Sequence, residues 1–189
     1  VGSGVTGAEF AGAYQALGSE VVLVSSRDRV LPGEDPDAAA LIESVYSGMG
    51  MTVLPRSRGV AARRAGDGVV VTLEDGRTVE GSHVLMAVGS LPNVEDLALE
   101  SAGVELDERG FIRVDRVSRT SCRGVYAAGD VTGLLMLASV AAMQGRIAMW
   151  HEMGEAVTPI ELGQVSRTVF TNPEIASVGL GQGELADGT

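Results

Sequence analysis

The first residues of the chain have types and a spacing that could bind phosphate. Residues 2–7 are G-S-G-V-T-G, which fits the pattern G-x-G-x-x-G. In this pattern the first glycine allows a tight turn, the second lets a pyrophosphate approach the backbone, and the third lets a helix pack closely on a strand. The pattern alone is weak evidence in a chain with 26 glycines. The candidate pyrophosphate-binding residues are Gly2, Ser3, Gly4, Val5, Thr6 and Gly7.

The sequence that follows this loop strengthens the interpretation. Residues 5–17 have the spacing of a helix, and residues 20–25 form a short apolar run that suits a buried parallel strand. A helix that begins at the loop would direct its free N–H groups and the positive end of its dipole at a phosphate. Loop, helix and strand together predict a dinucleotide-binding unit.

The end of that strand, about 20 residues after the loop, is where the ribose is recognised. NAD-binding enzymes usually carry Asp or Glu there, whereas this chain has Ser25, Ser26 and Arg27. Without a carboxylate a ribose 2′-phosphate is not repelled, and Arg27 could pair with it. We therefore favour acceptance of NADPH, alone or together with NADH. The alternative is that Arg27 is a solvated loop residue.

A second candidate site follows another apolar run. Residues 125–130 are V-Y-A-A-G-D. Gly129 would allow close approach of a ligand to the backbone, and Asp130 would lie at the carboxyl end of a strand, where α/β sheets bind ligands. A lone Gly-Asp pair is usually only a turn, so the preceding strand gives this pair its meaning.

The pattern of the whole chain predicts an α/β protein, with a nucleotide-binding domain at residues 1–90 and a second α/β segment to about residue 160. Asp35 is the expected N-cap of a helix, Gly18 the expected end of another, and residues 75–76 a hairpin turn. Further helices are predicted at residues 35–47, 97–102 and 137–153. Further strands are predicted at residues 51–55, 59–63, 69–73, 77–80, 84–88, 111–114 and 125–128. Residues 167–170 and 175–178 are expected to begin new structure after Pro159.

Composition excludes several classes of function. A net charge of −11 and a pI near 4.6 disfavour binding to nucleic acid or to anionic membranes. All 14 basic residues are arginine, which rules out a lysine Schiff base in this chain. One cysteine, Cys122, excludes a disulfide framework and a cysteine-rich zinc site and fits a reducing cytoplasm. We interpret Cys122, His83 and His151 as structural, with His151 lacking an evident partner.

The most apolar stretch of the chain, residues 133–150, includes Gln144 and Arg146 near its end. We therefore predict a buried helix here and no membrane span. The chain begins inside a strand-to-turn motif and stops soon after a new strand begins, so we expect it to be the middle of a longer protein.

The ordered motifs of the chain resemble those of the pyridine nucleotide-disulfide oxidoreductases, the flavoproteins that include dihydrolipoamide dehydrogenase, glutathione reductase and mercuric reductase. The matching segments are residues 2–9, 87–93 (AVGSLPN), 125–130, 136–138 (MLA) and 170–179 (FTNPEIASVG). The resemblance implies a Rossmann-like two-dinucleotide-binding fold, truncated at both ends. It assigns residues 1–90 to the NAD(P) domain, 91–160 to the C-terminal segment of the FAD domain, and 161–189 to the start of the dimerisation domain.

The resemblance also implies roles for individual residues. The glycine loop would bind the NAD(P) pyrophosphate, Glu9 would accept a hydrogen bond from the nicotinamide carboxamide, and Gly89 would border the same cofactor. Asp130 would bind the FAD ribityl chain. The residues expected against the isoalloxazine are Met136, Leu137 and Ala138, at the start of a helix that would stabilise negative charge on the reduced flavin. Alternatively, Glu9 only complements the helix dipole, and residues 136–138 are plain core.

Three departures from the family pattern resemble a quinone reductase subgroup. Ser25 replaces the NAD-type acid, residues 90–91 are Ser-Leu where the lipoamide and glutathione enzymes usually have basic residues, and Ser139 stands where some members have His. The family's redox cysteine pair would lie upstream of this chain, and its His-Glu pair downstream.

The resemblance implies a cytoplasmic, homodimeric enzyme that transfers hydride from NAD(P)H to FAD, and electrons on to a quinone or a disulfide such as lipoamide. Two alternatives stay open. One is a non-catalytic dinucleotide-binding or sensing module. The other is an inactive fragment, which we expect to bind FAD poorly because half of that site is missing.

Overall fold

The computed structural model describes residues 1–186 and divides the chain into two compact units. Unit 1 consists of Val1–Gly89 together with residues 168–186, and unit 2 consists of Ser90–Arg167. The predicted loop, ribose-recognition segment and Glu9 lie in unit 1, whereas the predicted flavin-binding residues lie in unit 2.

Unit 1 begins with alternating helices and strands. The elements are α1 (Val5–Ala16), β1 (Val22–Val24), α2 (Pro36–Gly48) and β2 (Thr52–Leu54). β1 and β2 pair in parallel with Leu23 opposite Val53, so α2 is the helical crossover that parallel strands require. This order confirms the prediction from hydrophobic spacing. Gly18, with φ of 91°, follows the C-cap Leu17 of α1.

A three-stranded antiparallel meander follows, as predicted. It consists of β3 (Gly59–Ala65), the central β4 (Gly68–Leu73) and β5 (Thr78–Gly81). Val71 pairs with Ala62 on one side and with Val79 on the other. Gly76, with φ of 87°, closes the turn by donating its N–H to the Leu73 carbonyl, which confirms the hairpin predicted at residues 75–76.

The predicted buried strand at residues 84–88 is wrong in two respects. Its described strand-type hydrogen bonds are two bonds to the first residue: Val1 N donates to Leu85 O and Ala87 N donates to Val1 O, each at 2.7 Å. With one residue as its partner the segment does not form a strand. Leu85, Met86 and Val88 are exposed because no described layer covers them.

The main core of unit 1 is centred on Tyr46, a fully buried residue of α2. Its hydroxyl donates to the Ala8 carbonyl of α1 at 2.6 Å, and a Cβ on Gly12 would lie 2.9 Å from that hydroxyl oxygen. Small residues on α1 therefore let the two helices approach closely. The buried cluster contains Ala8, Ala11, Leu23, Val30, Leu31, Ala39, Ile42, Tyr46, Met51 and Val169.

Unit 2 contains one long helix and little regular strand. Helix α3 (Ala138–Glu152) confirms the helix predicted at 137–153. The predicted strands at 111–114 and 125–128 are reduced to single bridges, Leu106 with Ile112 and Arg119 with Tyr126, since neither has an adjacent long strand among the described residues. The helix predicted at 97–102 is one 3-10 turn, Glu100–Ala102, which ends at Gly103 with φ of 74°.

The buried helix predicted here is α3, and it is buried on one face only. Val140, Gln144 and Ile147 are buried at helical spacing, while Met149 and Trp150 on other faces are exposed. Among residues 1–186, no helix combines the length and the apolar character that crossing a bilayer demands.

The chain continues through β6 (Arg167–Val169), β7 (Ile175–Ser177) and α4 (Gln182–Ala186), and β6 pairs with β7. Residues 167–170 and 175–178, where we expected new structure to begin after Pro159, thus contain two paired strands. Asp35 takes the N-cap position of α2 as predicted, but its side chain does not cap that helix. Its Oδ1 instead accepts the N–H of Gln182 at 2.9 Å, because α4 offers a competing donor.

Candidate functional site

Two of the three loop glycines are required by the packing of unit 1 itself. Gly2 has φ of 105°, and a Cβ there would overlap the Ala87 carbonyl oxygen. A Cβ on Gly7 would overlap the Gly2 carbonyl oxygen. Gly2 N also donates to Val24 O at 2.9 Å, so the loop starts beside the end of β1. The first and third glycines therefore have the turn-forming and close-packing roles that the pattern predicts.

Gly4 is different, because nothing in the described chain requires a glycine there. Its φ of −70° is accessible to any residue, and a Cβ would have no atom within 4 Å. Gly4 is the N-cap of α1, and no side chain caps that helix. Open space in front of free helix N–H groups is an anion-binding arrangement. The residues present therefore fit a pyrophosphate, with exposed Val5 and Thr6 completing the first turn.

The loop is tied to the end of β1 by two buried serines. Ser3 Oγ and Ser25 Oγ lie 2.7 Å apart, and Ser25 is fully buried. Ser25 Oγ also accepts the N–H of Arg27 at 3.1 Å. The Ser25 hydroxyl is thus directed into the protein, and it is Ser26 and Arg27 that are exposed at this position.

Glu9 is half-buried on α1, where its Oε1 accepts the backbone N–H of Phe170 at 2.8 Å. This contact joins residues that are 161 positions apart, and no local pattern in the sequence pointed to it. Glu9 also acts on the core: burial raises the pKa of Tyr46 to about 12, and the negative charge of Glu9 adds to that effect. Glu9 is therefore more than a dipole-complementing residue in solvent.

Gly89 is exposed at the end of Val1–Gly89, with φ of 115° and no atom within 4 Å of a Cβ position. Its backbone conformation is one that glycine adopts readily and other residues avoid. The structure thus gives a conformational reason for this glycine, while the open space around it leaves room for a ligand.

In unit 2, the Gly129–Asp130 turn is held by a residue that sequence reasoning missed. Gly129 has φ of 86° and ψ of −158°, a combination available essentially to glycine. Its N–H donates to Gln144 Oε1 at 2.7 Å, and its carbonyl accepts from Thr132 Oγ1 at 2.8 Å. Gln144 is 2% exposed, and its Nε2 donates to Thr132 Oγ1 at 3.3 Å. In the sequence, the signal for this role was the amide side chain of Gln144 within a largely apolar helix.

Asp130 itself is exposed at the start of the 3-10 turn Asp130–Thr132. Its carboxylate is therefore presented to solvent on a backbone that buried hydrogen bonds hold in place.

The segment before α3 is not ordinary core. Met136 is 43% exposed, Ala138 is exposed and Leu137 is half-buried. Leu137 is the N-cap of α3, and no side chain caps the helix there. The core interpretation fails for Met136 and Ala138, and the helix start is open to a ligand with negative charge.

The other polar residues have structural partners. His151 Nδ1 lies 2.7 Å from the Tyr126 hydroxyl, so the expectation that His151 lacks a partner is wrong. His83 Nδ1 lies 3.0 Å from the Ser82 hydroxyl. Across residues 1–186, no cluster of three or more His, Cys, Asp or Glu side chains could hold a metal ion.

Comparison with known proteins extends these observations. Residues 1–145 match the family described as pyridine nucleotide-disulphide oxidoreductase. The chain is 56% identical over 189 residues to the NAD(P)H dehydrogenase (quinone) of Mycobacterium tuberculosis, covering all of this chain and 38% of that protein. It is 38% identical over 185 residues to the dihydrolipoyl dehydrogenase of Corynebacterium glutamicum, covering 95% of this chain and 39% of that protein.

Solved structures give the same result. LpdA from Mycobacterium tuberculosis superposes with a TM-score of 0.94 at 56% identity, over 99% of this chain and 41% of that chain. The HOCl-induced flavoprotein disulfide reductase RclA from Escherichia coli superposes with a TM-score of 0.90 at 27% identity, over 99% and 43%. The chain spans about two fifths of the length of these proteins. Its fold is the α/β dinucleotide-binding fold of these flavoproteins, and the chain belongs to the pyridine nucleotide-disulphide oxidoreductase family.

Proposed function

We propose that the chain supplies the NAD(P)-binding part, and a portion of the FAD-binding part, of a flavoprotein oxidoreductase that passes electrons from NAD(P)H to a quinone. In this proposal residues 1–90 bind NAD(P)H, residues 91–160 contribute to the FAD site, and residues 161–189 begin a dimerisation domain. A cytoplasmic homodimer completes the proposal. The single cysteine, which fits a reducing compartment, supports the cytoplasmic location.

Gly4 is the observation that carries the nucleotide part. Its glycine identity is unexplained by φ or by packing, yet it borders open space at the uncapped start of a 12-residue helix. A pyrophosphate in that space explains both facts, because it needs close backbone approach and accepts hydrogen bonds from the first-turn N–H groups.

Glu9 would orient the nicotinamide. One oxygen of its carboxylate is engaged by the Phe170 N–H, which limits the rotation of the side chain. The other oxygen can then accept from a carboxamide N–H without a further loss of side-chain freedom. Positioning of this kind lowers the entropic cost of bringing the reacting atoms together.

The flavin part rests on the Gly129–Asp130 turn and the open start of α3. Asp130 would accept hydrogen bonds from ribityl hydroxyls, and the buried Gly129, whose N–H is held by Gln144, would fix the turn that presents it. The uncapped N-terminus of α3, a 15-residue helix, would stabilise negative charge placed against residues 136–138. When bound, the nicotinamide would supply a hydride, and the flavin would take up its electrons and pass them on to the acceptor.

A quinone is the proposed acceptor because the relative that is 56% identical over the whole chain is named for quinone reduction. The departures from the disulfide-reducing pattern at Ser25 and at residues 90–91 agree with it. A disulfide acceptor such as lipoamide would need a redox cysteine pair, which the family resemblance places upstream of this chain.

The test is anaerobic mixing of the full-length flavoprotein with NADPH or NADH while the flavin absorbance is followed. Bleaching by either nucleotide supports the hydride-transfer assignment. Re-oxidation by a quinone but not by lipoamide supports the proposed acceptor, and the reverse result replaces the quinone with a disulfide. If neither nucleotide bleaches the flavin, the enzymatic proposal fails and a non-catalytic binding module takes its place.

A further inference from the structure

We propose that Arg56, together with Arg27, forms a site for the ribose 2′-phosphate of NADPH, and that Arg56 is a determinant of nucleotide preference. The inference rests on the proposed function, since it requires that unit 1 binds a dinucleotide. It adds a residue from the loop after β2, a segment in which the sequence patterns indicated no function.

Backbone hydrogen bonds join the loop after β1 to the loop after β2. Ser25 N donates to Leu54 O at 2.9 Å, and Ser57 N donates to Ser25 O at 2.7 Å. Arg56 N donates to Arg27 O at 2.9 Å. Arg27 and Arg56 are therefore neighbours, although they are far apart in the sequence, and their separation is fixed by the backbone.

Arg56 has an unusual backbone conformation, with φ of 47°. The left-handed region is disfavoured for a residue that has a Cβ and is not Asn or Asp. Such conformations persist where surrounding hydrogen bonds impose them, and they are frequent at ligand sites. Here the bonds at Arg56 and Ser57 impose the turn, and the Arg56 side chain is 77% exposed beside the loop that contains Arg27.

The local charge is opposite to that of the chain. Residues 25–29 and 55–58 contain four arginines and one acid, Asp28, in a protein of net charge −11. A ribose 2′-phosphate carries close to two negative charges and three acceptor oxygens, which suits a pair of guanidinium groups. The buried Ser25 contributes no charge of its own, so the acid usual in NAD-binding enzymes is absent.

Asp28 would compete with a bound phosphate for the Arg56 side chain. Its Oδ1 lies 3.9 Å from Arg56 Nη1, and both side chains are largely exposed. An ion pair of this length and exposure is weak. A phosphate that makes direct hydrogen bonds would therefore replace Asp28 as the partner of Arg56.

The test is calorimetric titration of the full-length flavoprotein with NADP⁺ and with NAD⁺, whose oxidised rings prevent flavin reduction. The variant Arg56→Asn removes the charge and keeps a residue that tolerates positive φ. We expect its affinity for NADP⁺ to fall about tenfold, as for loss of one charged hydrogen bond, and its affinity for NAD⁺ to change less than twofold. Asp28→Asn should tighten NADP⁺ binding about threefold and leave NAD⁺ unchanged.

Arg63→Asn is the matched control, because Arg63 is an exposed arginine on β3. It makes the same change in net charge and should leave both affinities within twofold. Equal losses for the two nucleotides in Arg56→Asn, or no loss for either, would overturn the inference while the proposed function stands. Failure of the unmodified protein to bind either nucleotide would instead overturn the proposed function.

Discussion

The hydroxyl oxygens of Ser3 and Ser25 lie 2.7 Å apart in the interior of unit 1, where they connect the glycine loop to the residue that follows β1. The contact links the loop proposed to bind pyrophosphate with the segment proposed to recognise the ribose. A dinucleotide would extend across both, so this buried hydrogen bond, together with the bond from Gly2 N to Val24 O, helps to fix the distance between its two binding segments.

Replacing Ser25 with Ala should therefore weaken both stability and binding. It leaves the buried Ser3 hydroxyl with only a 3.4 Å approach to the Arg29 carbonyl. We expect a loss of about 1–3 kcal/mol in the free energy of unfolding, and weaker binding of both nucleotides. Thermal denaturation and NAD⁺ titration measure the two effects. Ser26→Ala at the adjacent exposed residue should change stability by less than about 0.5 kcal/mol, and an equal effect there would contradict the prediction.

Substitutions of Gly4 and Gly2 should distinguish a glycine that is needed for nucleotide binding from one that is needed for folding. Gly4→Ala adds a methyl group to open space, so the melting temperature should hardly change while nucleotide affinity falls at least tenfold. Gly2→Ala places a Cβ against the Ala87 carbonyl at φ of 105°, so it should destabilise the fold severely. Circular dichroism melting and calorimetric titration of both variants check the contrast. Unchanged affinity in Gly4→Ala would remove the main support for the nucleotide site.

Tyr46 should make stability depend on pH in the alkaline range. Burial, aided by the charge of Glu9, raises its pKa to about 12, against about 10 for an ordinary tyrosine. The folded state thus holds the phenolic proton more tightly than the unfolded state does. The resulting stabilisation is complete below pH 10 and is lost between pH 10 and 12, by roughly 2–3 kcal/mol.

The variant Tyr46→Phe provides the control for this titration. It removes the 2.6 Å hydrogen bond to Ala8 and should cost about 1 kcal/mol at neutral pH. Its stability should decline less steeply above pH 10 than that of the unmodified protein. Denaturant unfolding at a series of pH values compares the two slopes, and parallel slopes would show that Tyr46 is not the titrating group.

Gln144 should control flavin binding through the Gly129–Asp130 turn. Gln144→Leu leaves the buried Gly129 N–H without its acceptor. We therefore expect the free energy of unfolding to fall by about 1–3 kcal/mol, and the purified full-length protein to contain less FAD. Gln144→Glu keeps an acceptor for that N–H and should recover more FAD than the leucine variant does. Met143→Leu, on the exposed side of the same helix, should retain full FAD content. Absorbance ratios at the flavin and protein bands give the measurement.

Local patterns were enough to predict the elements that lie close together in the sequence. The order of α1, β1, α2 and β2 and the meander followed from hydrophobic spacing and turn residues, because both are properties of a few consecutive residues. The strands predicted at 84–88, 111–114 and 125–128 were wrong because strand pairing depends on segments that are distant in the sequence. Apolar runs show that a segment can be extended, but a strand exists only where a partner of sufficient length lies beside it.

The sequence alone determined the family, the glycine loop and the Gly129–Asp130 turn, since these depend on residue type at fixed spacing. Tertiary structure decided which glycines serve packing and which one borders open space, because that depends on atoms such as the Ala87 carbonyl. It also decided the contacts of Glu9 with Phe170 and of Arg56 with Arg27, and the burial of Ser25. Hydrogen bonds between distant segments form only when folding brings their donors and acceptors together, and no local pattern encodes them.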